Sequence, residues 1–391
     1  MSLQNTPQSN RLTIGIFGKT NSGKSTLLNA LTGQYYAVVS ELEGTTTDPV
    51  YKAMEINEIG PVLFIDTAGF SDKTELGEKR LEKTIDALSK TDIALVLVKS
   101  KNEIALDEEY ANFIRMLEDK NKPYIVIEND FENGKGFKTE SVIEKIKEKI
   151  PQDFENHSLT ANLCSEGDVV ILVMPQDIQA PKGRLILPQV QILRELLDKK
   201  CIPLCCTTDK LHSAIATLKE KPALIITDSQ AFSIVYEEKC ENPLLIDVPL
   251  TSFSVLMAAN KGDIAKFVSG SAKIDELNGD SKVLIAEACT HAPLEEDIGR
   301  VKIPRMLKNL VEKRNAGDGE KLKIDFVRGS DFPLDLSQYD LVIHCGSCMF
   351  NRSYVVSRQE KAASVNVAMT NYGIAIAKLT GILDKVAIPQ N

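Results

Sequence analysis

The segment Gly18-Lys19-Thr20-Asn21-Ser22-Gly23-Lys24-Ser25 constrains this chain more than any other feature, because it fits the phosphate-loop pattern G-x-x-x-x-G-K-[ST]. Such a loop works only when a strand delivers it and a helix leaves it. Here the apolar run from Leu12 to Phe17 precedes it and the helix-like stretch K-S-T-L-L-N-A-L follows. The glycines let backbone N–H groups curl around a phosphate, and the positive end of the helix adds to the attraction. Lys24 would reach the β- and γ-phosphates, and the Ser25 hydroxyl would ligate Mg2+. Gly18, Asn21, Ser22, Gly23 and Thr26 complete the expected phosphate-binding set.

Further strands alternate with amphipathic helices up to residue 150. Val62 to Ile65, Ile93 to Val98 and Tyr124 to Ile127 read as strands, and Leu76 to Leu88 and Asp107 to Leu117 as helices. This order predicts a parallel sheet with helices on both faces. Asp66-Thr67-Ala68-Gly69 follows the strand V-L-F-I. A carboxylate there can hold the Mg2+ shell, and Gly69 can offer its N–H to a γ-phosphate. Gly44-Thr45-Thr46-Thr47-Asp48 is a polar loop of the kind that orders when a Thr hydroxyl joins the metal.

This G-T-T-x-D loop resembles that of the Era-like and tRNA-modification branch of the translation-factor-related GTPases. The resemblance implies GTP and GDP as ligands and Thr46, rather than Thr45 or Thr47, on Mg2+. Lys24, Thr46, Asp66 and Gly69 would then carry hydrolysis. Position 70 is Phe, where Ras-like GTPases place the glutamine that orients water. Asn21 matches members of the branch that use a bound K+ in place of an arginine finger. Guanine is read in this family by N-K-x-D. The matching place is Asn129-Asp130-Phe131-Glu132, which keeps Asn129, puts Asp130 where the Lys belongs and leaves Glu132 as the reading acid.

At 391 residues the chain exceeds one ordinary core. Pro151 to Gly167 is polar and irregular, a linker by composition. Beyond it, Val169 to Val173, Ala223 to Ile226 and Leu244 to Val248 read as strands. Pro188 to Leu197 reads as a helix with Val190, Leu193 and Leu197 on one face. Strands at Val283 to Ala286, Lys323 to Val327 and Leu341 to His344 define a last part. The expected organisation is α/β throughout: a P-loop GTPase domain over 1–158, a middle domain over 167–250 and a last domain over 251–391, the two smaller ones with parallel-type sheets. The net charge of −9 gives no reason to expect nucleic acid or an anionic membrane as partner. The polar start and the want of a run of about 20 apolar residues predict a cytoplasmic protein.

Cysteines supply the second chemical signal. Cys289-Thr290-His291 follows the strand-like V-L-I-A-E-A, and His344-Cys345-Gly346-Ser347-Cys348 follows D-L-V-I. Both groups lie where strands run out into loops, the place where parallel sheets build sites. Spacing alone admits a closed zinc site or an iron–sulfur cluster with a replaceable position. Cys201, Cys205 and Cys206 read as packing beside a strand-like I-P-L, and Cys164 and Cys240 as inert.

The order of three parts, with P-Q-D-I-Q-A-P-K-G-R-L-I-L-P-Q-V-Q in the middle and C-x-H…H-C-x-x-C at the end, resembles the HydF family, maturation GTPases of FeFe hydrogenases. The resemblance implies a homodimer joined through the middle domain. It implies a 4Fe–4S cluster on Cys289, Cys345 and Cys348, with His291 and His344 as fourth or outlying groups. Such a scaffold would accept a di-iron precursor from two radical-SAM maturation enzymes and pass it to apo FeFe-hydrogenase. Two rival readings are an Era-like RNA-associated GTPase and a GTPase with a purely structural zinc.

Overall fold

The computed structural model describes residues 6–35, 40–42, 49–67, 69, 75–100, 102–129, 137–151, 154, 158–175, 185–288 and 297–390. The chain divides into two compact units, Met1–Asn156 and His157–Asn391. In the first, β1 (Leu12–Gly18) is buried at every position, as a central strand covered on both faces must be. It lies in a six-stranded sheet with β2 (Ser40–Leu42), β3 (Val50–Ile56), β4 (Gly60–Asp66), β5 (Ile93–Val98) and β6 (Tyr124–Glu128), in the order β2-β3-β4-β1-β5-β6. β4, β1, β5 and β6 are parallel, as the alternation of strands and helices predicts.

The sheet is nevertheless mixed. β3 runs antiparallel to β4 and β2 antiparallel to β3. A purely parallel sheet was the wrong inference here because V-Y-K-A-M-E-I enters through a tight hairpin, not a helical crossover. Glu58 and Gly60 take the positive φ angles, 75° and 93°, that turn the chain back. The helix Lys24–Tyr35 leaves the P-loop, and its Leu27, Leu28 and Leu31 join β1 and β4 in one core.

The second unit holds two four-stranded parallel sheets. The first runs β10-β9-β7-β8, from β7 (Val169–Val173), β8 (Ile202–Cys206), β9 (Leu224–Thr227) and β10 (Leu250–Ser252). The segment Leu244 to Val248 is a turn and not a strand: Leu245 N–H and Val248 N–H bond back three residues, to Asn242 and Leu245, and Pro249 follows. The fourth strand therefore begins at Leu250 and straddles the boundary drawn from the sequence at 250. The other sheet runs β12-β11-β13-β14, from β11 (Lys282–Glu287), β12 (Lys323–Arg328), β13 (Leu341–His344) and β14 (Ala368–Asn371).

The helix Phe253–Lys261 joins the two sheets of this unit into one body. Phe253 and Leu256 pack with Val170, Leu172, Leu224 and Ile226 of the middle sheet. Val255 and Ala258 belong to the core that also holds Ile285, Val342 and Ile374. A helix apolar on all sides is one that other layers cover. No described helix is long and apolar enough to cross a membrane.

Phe253→Ala empties a site that is 2% exposed between these layers. It is expected to cost about 3–5 kcal/mol, measured by urea unfolding. The loss should fall on His157–Asn391 and leave the unfolding of Met1–Asn156 in place.

Candidate functional site

Parallel pairing of Ile16 with Asp66 puts the end of β1 and the end of β4 side by side. The P-loop and the D-T-A-G segment therefore leave the sheet at one carboxyl edge. Ser25 Oγ donates to Asp66 Oδ2 at 2.6 Å. Lys24 is buried, and its ammonium donates back to the carbonyls of Gly18 at 3.0 Å and Lys19 at 2.9 Å. Burial depresses the Lys24 pKa against the pull of Asp66. Burial also raises that of Asp66 against Ser25, Lys24 and Lys52. A desolvated ammonium beside a desolvated carboxylate is suited to a polyphosphate on one side and a divalent cation on the other.

The loop's backbone fits the same ligand. Asn21 and Gly23 have φ of 61° and 96°, which curls the chain into a nest. A side chain at Gly69 would place its Cβ 2.4 Å from the Thr20 backbone nitrogen, so only glycine allows this approach. Ser22 Oγ and Asp66 Oδ1 are buried without a hydrogen-bond partner. An orphaned hydroxyl that can donate to phosphate and an orphaned carboxylate oxygen that can face a cation match a magnesium nucleotide. Thr67 is fixed to β1 by its hydroxyl, which donates to Ile16 O at 2.7 Å.

Asn129, at the end of β6, donates from Nδ2 to Ser22 O at 2.6 Å. It thus braces the P-loop from the side where the base-reading element was expected. Thr45, Thr46, Phe70 and Glu132 lie outside the described residues.

Sequence reasoning missed a second brace. Lys19 pairs with Asp107, and with Glu109 at 2.8 Å. Tyr110 accepts the Lys19 N–H at 3.2 Å and donates to Leu97 O at 2.7 Å. Asp107 also caps the helix Glu108–Asp119 by accepting from Glu109 N and Tyr110 N. The D-E-E-Y start announced a helix cap. Nothing local announced that the same carboxylate would reach the P-loop.

In the last sheet β11 and β13 are parallel neighbours, with Ala286 opposite His344. The two cysteine motifs therefore leave adjacent strands at one carboxyl edge. Cys289 and His291 lie outside the described residues, and among the described residues no three His, Cys, Asp or Glu side chains converge as a metal site. Ala288, the residue before Cys289, donates its N–H to Cys345 Sγ at 3.0 Å. Ser347 N–H approaches the same sulfur at 3.5 Å. Cys345 and Cys348 are half-buried. A sulfur receiving backbone N–H groups beside the chain that carries the third cysteine fits a thiolate-held cluster.

His344 is fully buried. Arg358 Nη1 meets its Nε2 at 2.9 Å, and Ser347 Oγ and Cys345 O lie 3.0 and 3.1 Å from its Nδ1. A guanidinium can only donate, so Nε2 accepts and Nδ1 carries the proton. Burial, followed by the Arg358 charge, pushes its pKa down to about 3. The neutral ring has both nitrogens engaged and serves as a post for the turn.

The helix Leu187–Asp198 buries Gln189, Ile192 and Leu196. Of the residues on its other apolar face, Leu193 packs against the core of the middle sheet, while Val190 and Leu197 point outward, 46% and 55% exposed.

Comparison with known proteins matches three family descriptions in succession. Residues 13–130 match a 50S ribosome-binding GTPase. Residues 159–262 match the hydrogen maturase F dimerization domain and 265–389 the hydrogen maturase F tetramerization domain, together more than half of the chain. GTPase Der of Mycoplasmopsis pulmonis is 35% identical over 158 residues, 39% of this chain and 35% of that protein. The tRNA modification GTPase MnmE of Christiangramia forsetii is 36% identical over 127 residues, 31% of this chain and 26% of that protein. The chain thus spans between about a quarter and a third of the length of these relatives. Among solved structures, Era of Aquifex aeolicus bound to GDP and aluminium fluoride aligns over 53% of this chain and 98% of its own, at 20% identity and a TM-score of 0.30. The N-terminal unit is a P-loop GTPase domain, and further α/β domains follow it.

Gly69→Ala should push Thr20 and its loop away from the phosphates. Nucleotide hydrolysis is expected to drop about 100-fold, with the unfolding of His157–Asn391 unchanged. Equal hydrolysis in the variant and the parent, measured by phosphate release, would show that the close approach is not needed.

Proposed function

The chain belongs to the hydrogen maturase F family, and from that premise we propose that it is a GTP-hydrolysing scaffold that holds a 4Fe–4S cluster and carries a di-iron precursor. The observation that carries this reading is the adjacency of the two strands that lead into the cysteine motifs, with Ala288 N–H on Cys345 Sγ.

At the nucleotide site, the P-loop N–H groups and Lys24 bind the β- and γ-phosphates, and Gly69 N–H approaches the γ-phosphate. Ser25 and Thr46 would hold Mg2+, with Asp66 behind Ser25, and the ion would supply charge neutralisation at the transferring phosphoryl group. Asn129 and Glu132 are the residues facing guanine in this reading, and Asn21 would hold K+. Phe70 cannot orient water, so that task would fall to backbone groups and to the loop around Thr46 when nucleotide and Mg2+ are bound.

At the other site, Cys289, Cys345 and Cys348 would hold the cluster, and a non-cysteine iron position would supply the attachment point for the cargo. His344 acts through the turn, which leaves His291 as the histidine of the motif that could reach that position. The donors of the cargo would be two radical-SAM enzymes and the recipient apo FeFe-hydrogenase. The nucleotide gates these partners; it does no chemistry on the cluster.

Assembly as a homodimer is supported by the exposed edge of the middle sheet. β8 is an edge strand with Ile202 58% exposed, close in sequence to the outward Val190 and Leu197. An edge of this kind invites pairing with a second copy.

Iron, sulfide and zinc analysis of anaerobically reconstituted protein tests the scaffold. About four irons and four sulfides per chain are expected, whereas one zinc and no iron would contradict it. Lys24→Ala should abolish GTP hydrolysis and leave iron content intact, and loss of both together would contradict separable sites. Hydrolysis should also run faster in K+ than in Na+. Equal rates in the two salts would remove Asn21 from that role.

A further inference from the structure

Arg358 stands out because its charge is buried and has no acidic partner among the described residues. It is 2% exposed, on the helix Arg352–Ser364 that follows the H-C-x-x-C turn. Nη1 donates to His344 Nε2 at 2.9 Å, and Nη2 to Gly329 O at 2.5 Å and Tyr354 Oη at 3.1 Å. The rings of Phe332, Phe350 and Tyr354 surround the guanidinium carbon at 4.5, 4.6 and 4.5 Å. Nε has no partner at all. Among the described residues no carboxylate pairs with it. By contrast, Arg300 and Arg328 at the same sheet edge share Glu287, each Nε 3.3 Å from Oε2.

Aromatic faces and neutral acceptors recover only part of the cost of burying a cation. A fold that keeps one in place supplies an anion nearby or loses stability. The hydrogen bonds lead to the turn that carries Cys345 and Cys348. Arg358 is linked to it by a directed chain: guanidinium to His344 Nε2, His344 Nδ1–H to Ser347 Oγ, and Ser347 Oγ–H to Cys345 O at 3.1 Å. Asn371 Nδ2 donates to the same carbonyl at 3.1 Å.

We propose that Arg358 is the positioning residue of the cluster site: it locks the His344–Cys348 turn through His344 and supplies the positive charge that offsets the cluster and its thiolates. The inference rests on the cluster reading above. Three thiolates on a 4Fe–4S core leave a net negative charge that grows by one on reduction. A fixed cation beside it favours the reduced form and so raises the midpoint potential. The guanidinium holds His344 and Gly329 O through two nitrogens at fixed spacing, a geometry that the single nitrogen of a lysine does not reproduce.

The test uses the full-length chain, anaerobically reconstituted, with Arg358→Met and Arg358→Lys. Midpoint potential is read by redox titration under electron paramagnetic resonance, and iron loss by an external chelator. Hydrolysis of GTP reports that the N-terminal domain is intact in each variant. For Arg358→Met the expected result is a midpoint shifted to more negative values and iron lost about 10-fold faster. For Arg358→Lys the midpoint should stay near the parent value while iron still leaves about 10-fold faster, because charge is kept and the fork is lost. If the Met variant does not accumulate in folded form, the Lys variant decides. Iron release at the parent rate overturns the proposal, as does a Met variant with an unchanged midpoint. A parent chain that takes up no iron overturns the cluster reading instead, and the two failures are told apart by that control.

Discussion

A parallel strand buried on both faces can deliver its next residue only to the carboxyl edge of its sheet, and both proposed sites of this protein depend on that constraint. β1 and β4 lie side by side, so the P-loop and Asp66 emerge together. β11 and β13 lie side by side, so the chain leading to Cys289 and the turn carrying Cys345 emerge together. In each case the hydrophobic strand is structural and the first polar residues beyond it are chemical. One edge collects main-chain N–H groups and an ammonium suited to phosphate. The other holds the Cys345 sulfur with two N–H groups turned onto it.

Buried charge distinguishes the two edges. Lys24 and Asp66 are each desolvated, and each leans on the other while a polyphosphate and a cation would satisfy both. At the cysteine edge the isolated charge is the guanidinium of Arg358, caged by rings and joined to the turn through a neutral histidine. The N-terminal unit spends its side chains on bracing a loop that must meet a ligand repeatedly: Asn129 from one side, Lys19 with Asp107 and Tyr110 from the other. Cys345 is instead held by the backbone of two neighbouring loops, an arrangement suited to a ligand that stays.

What was legible in the sequence was periodic or punctuated. The apolar runs of β1, β5, β7 and β11 could be read to within a residue or so because strands covered on both faces have near-continuous apolar sequences. The P-loop and the two cysteine motifs were legible because their chemistry needs fixed spacing. The antiparallel β3 was not, since hairpin topology depends on a turn at Glu58 and Gly60 that carries no strong signal. Leu244 to Val248 misled because a buried turn can be as apolar as a strand. The outward Val190 and Leu197 of the helix Leu187–Asp198 and the burial of Arg358 arise from tertiary packing, which local pattern does not encode.

The account stands on three cysteines from two distant motifs holding one cluster. The most direct measurement is electron paramagnetic resonance of the reduced, reconstituted protein in a replacement series: Cys289→Ala, Cys345→Ala, Cys348→Ala and, as control, Cys240→Ala on the helix Phe232–Glu241. The account predicts that each of the first three loses the cluster signal and most of its iron while the control keeps both. A Cys289→Ala variant with the parent's iron content and spectrum would contradict it, because the two strand ends would then not share a site.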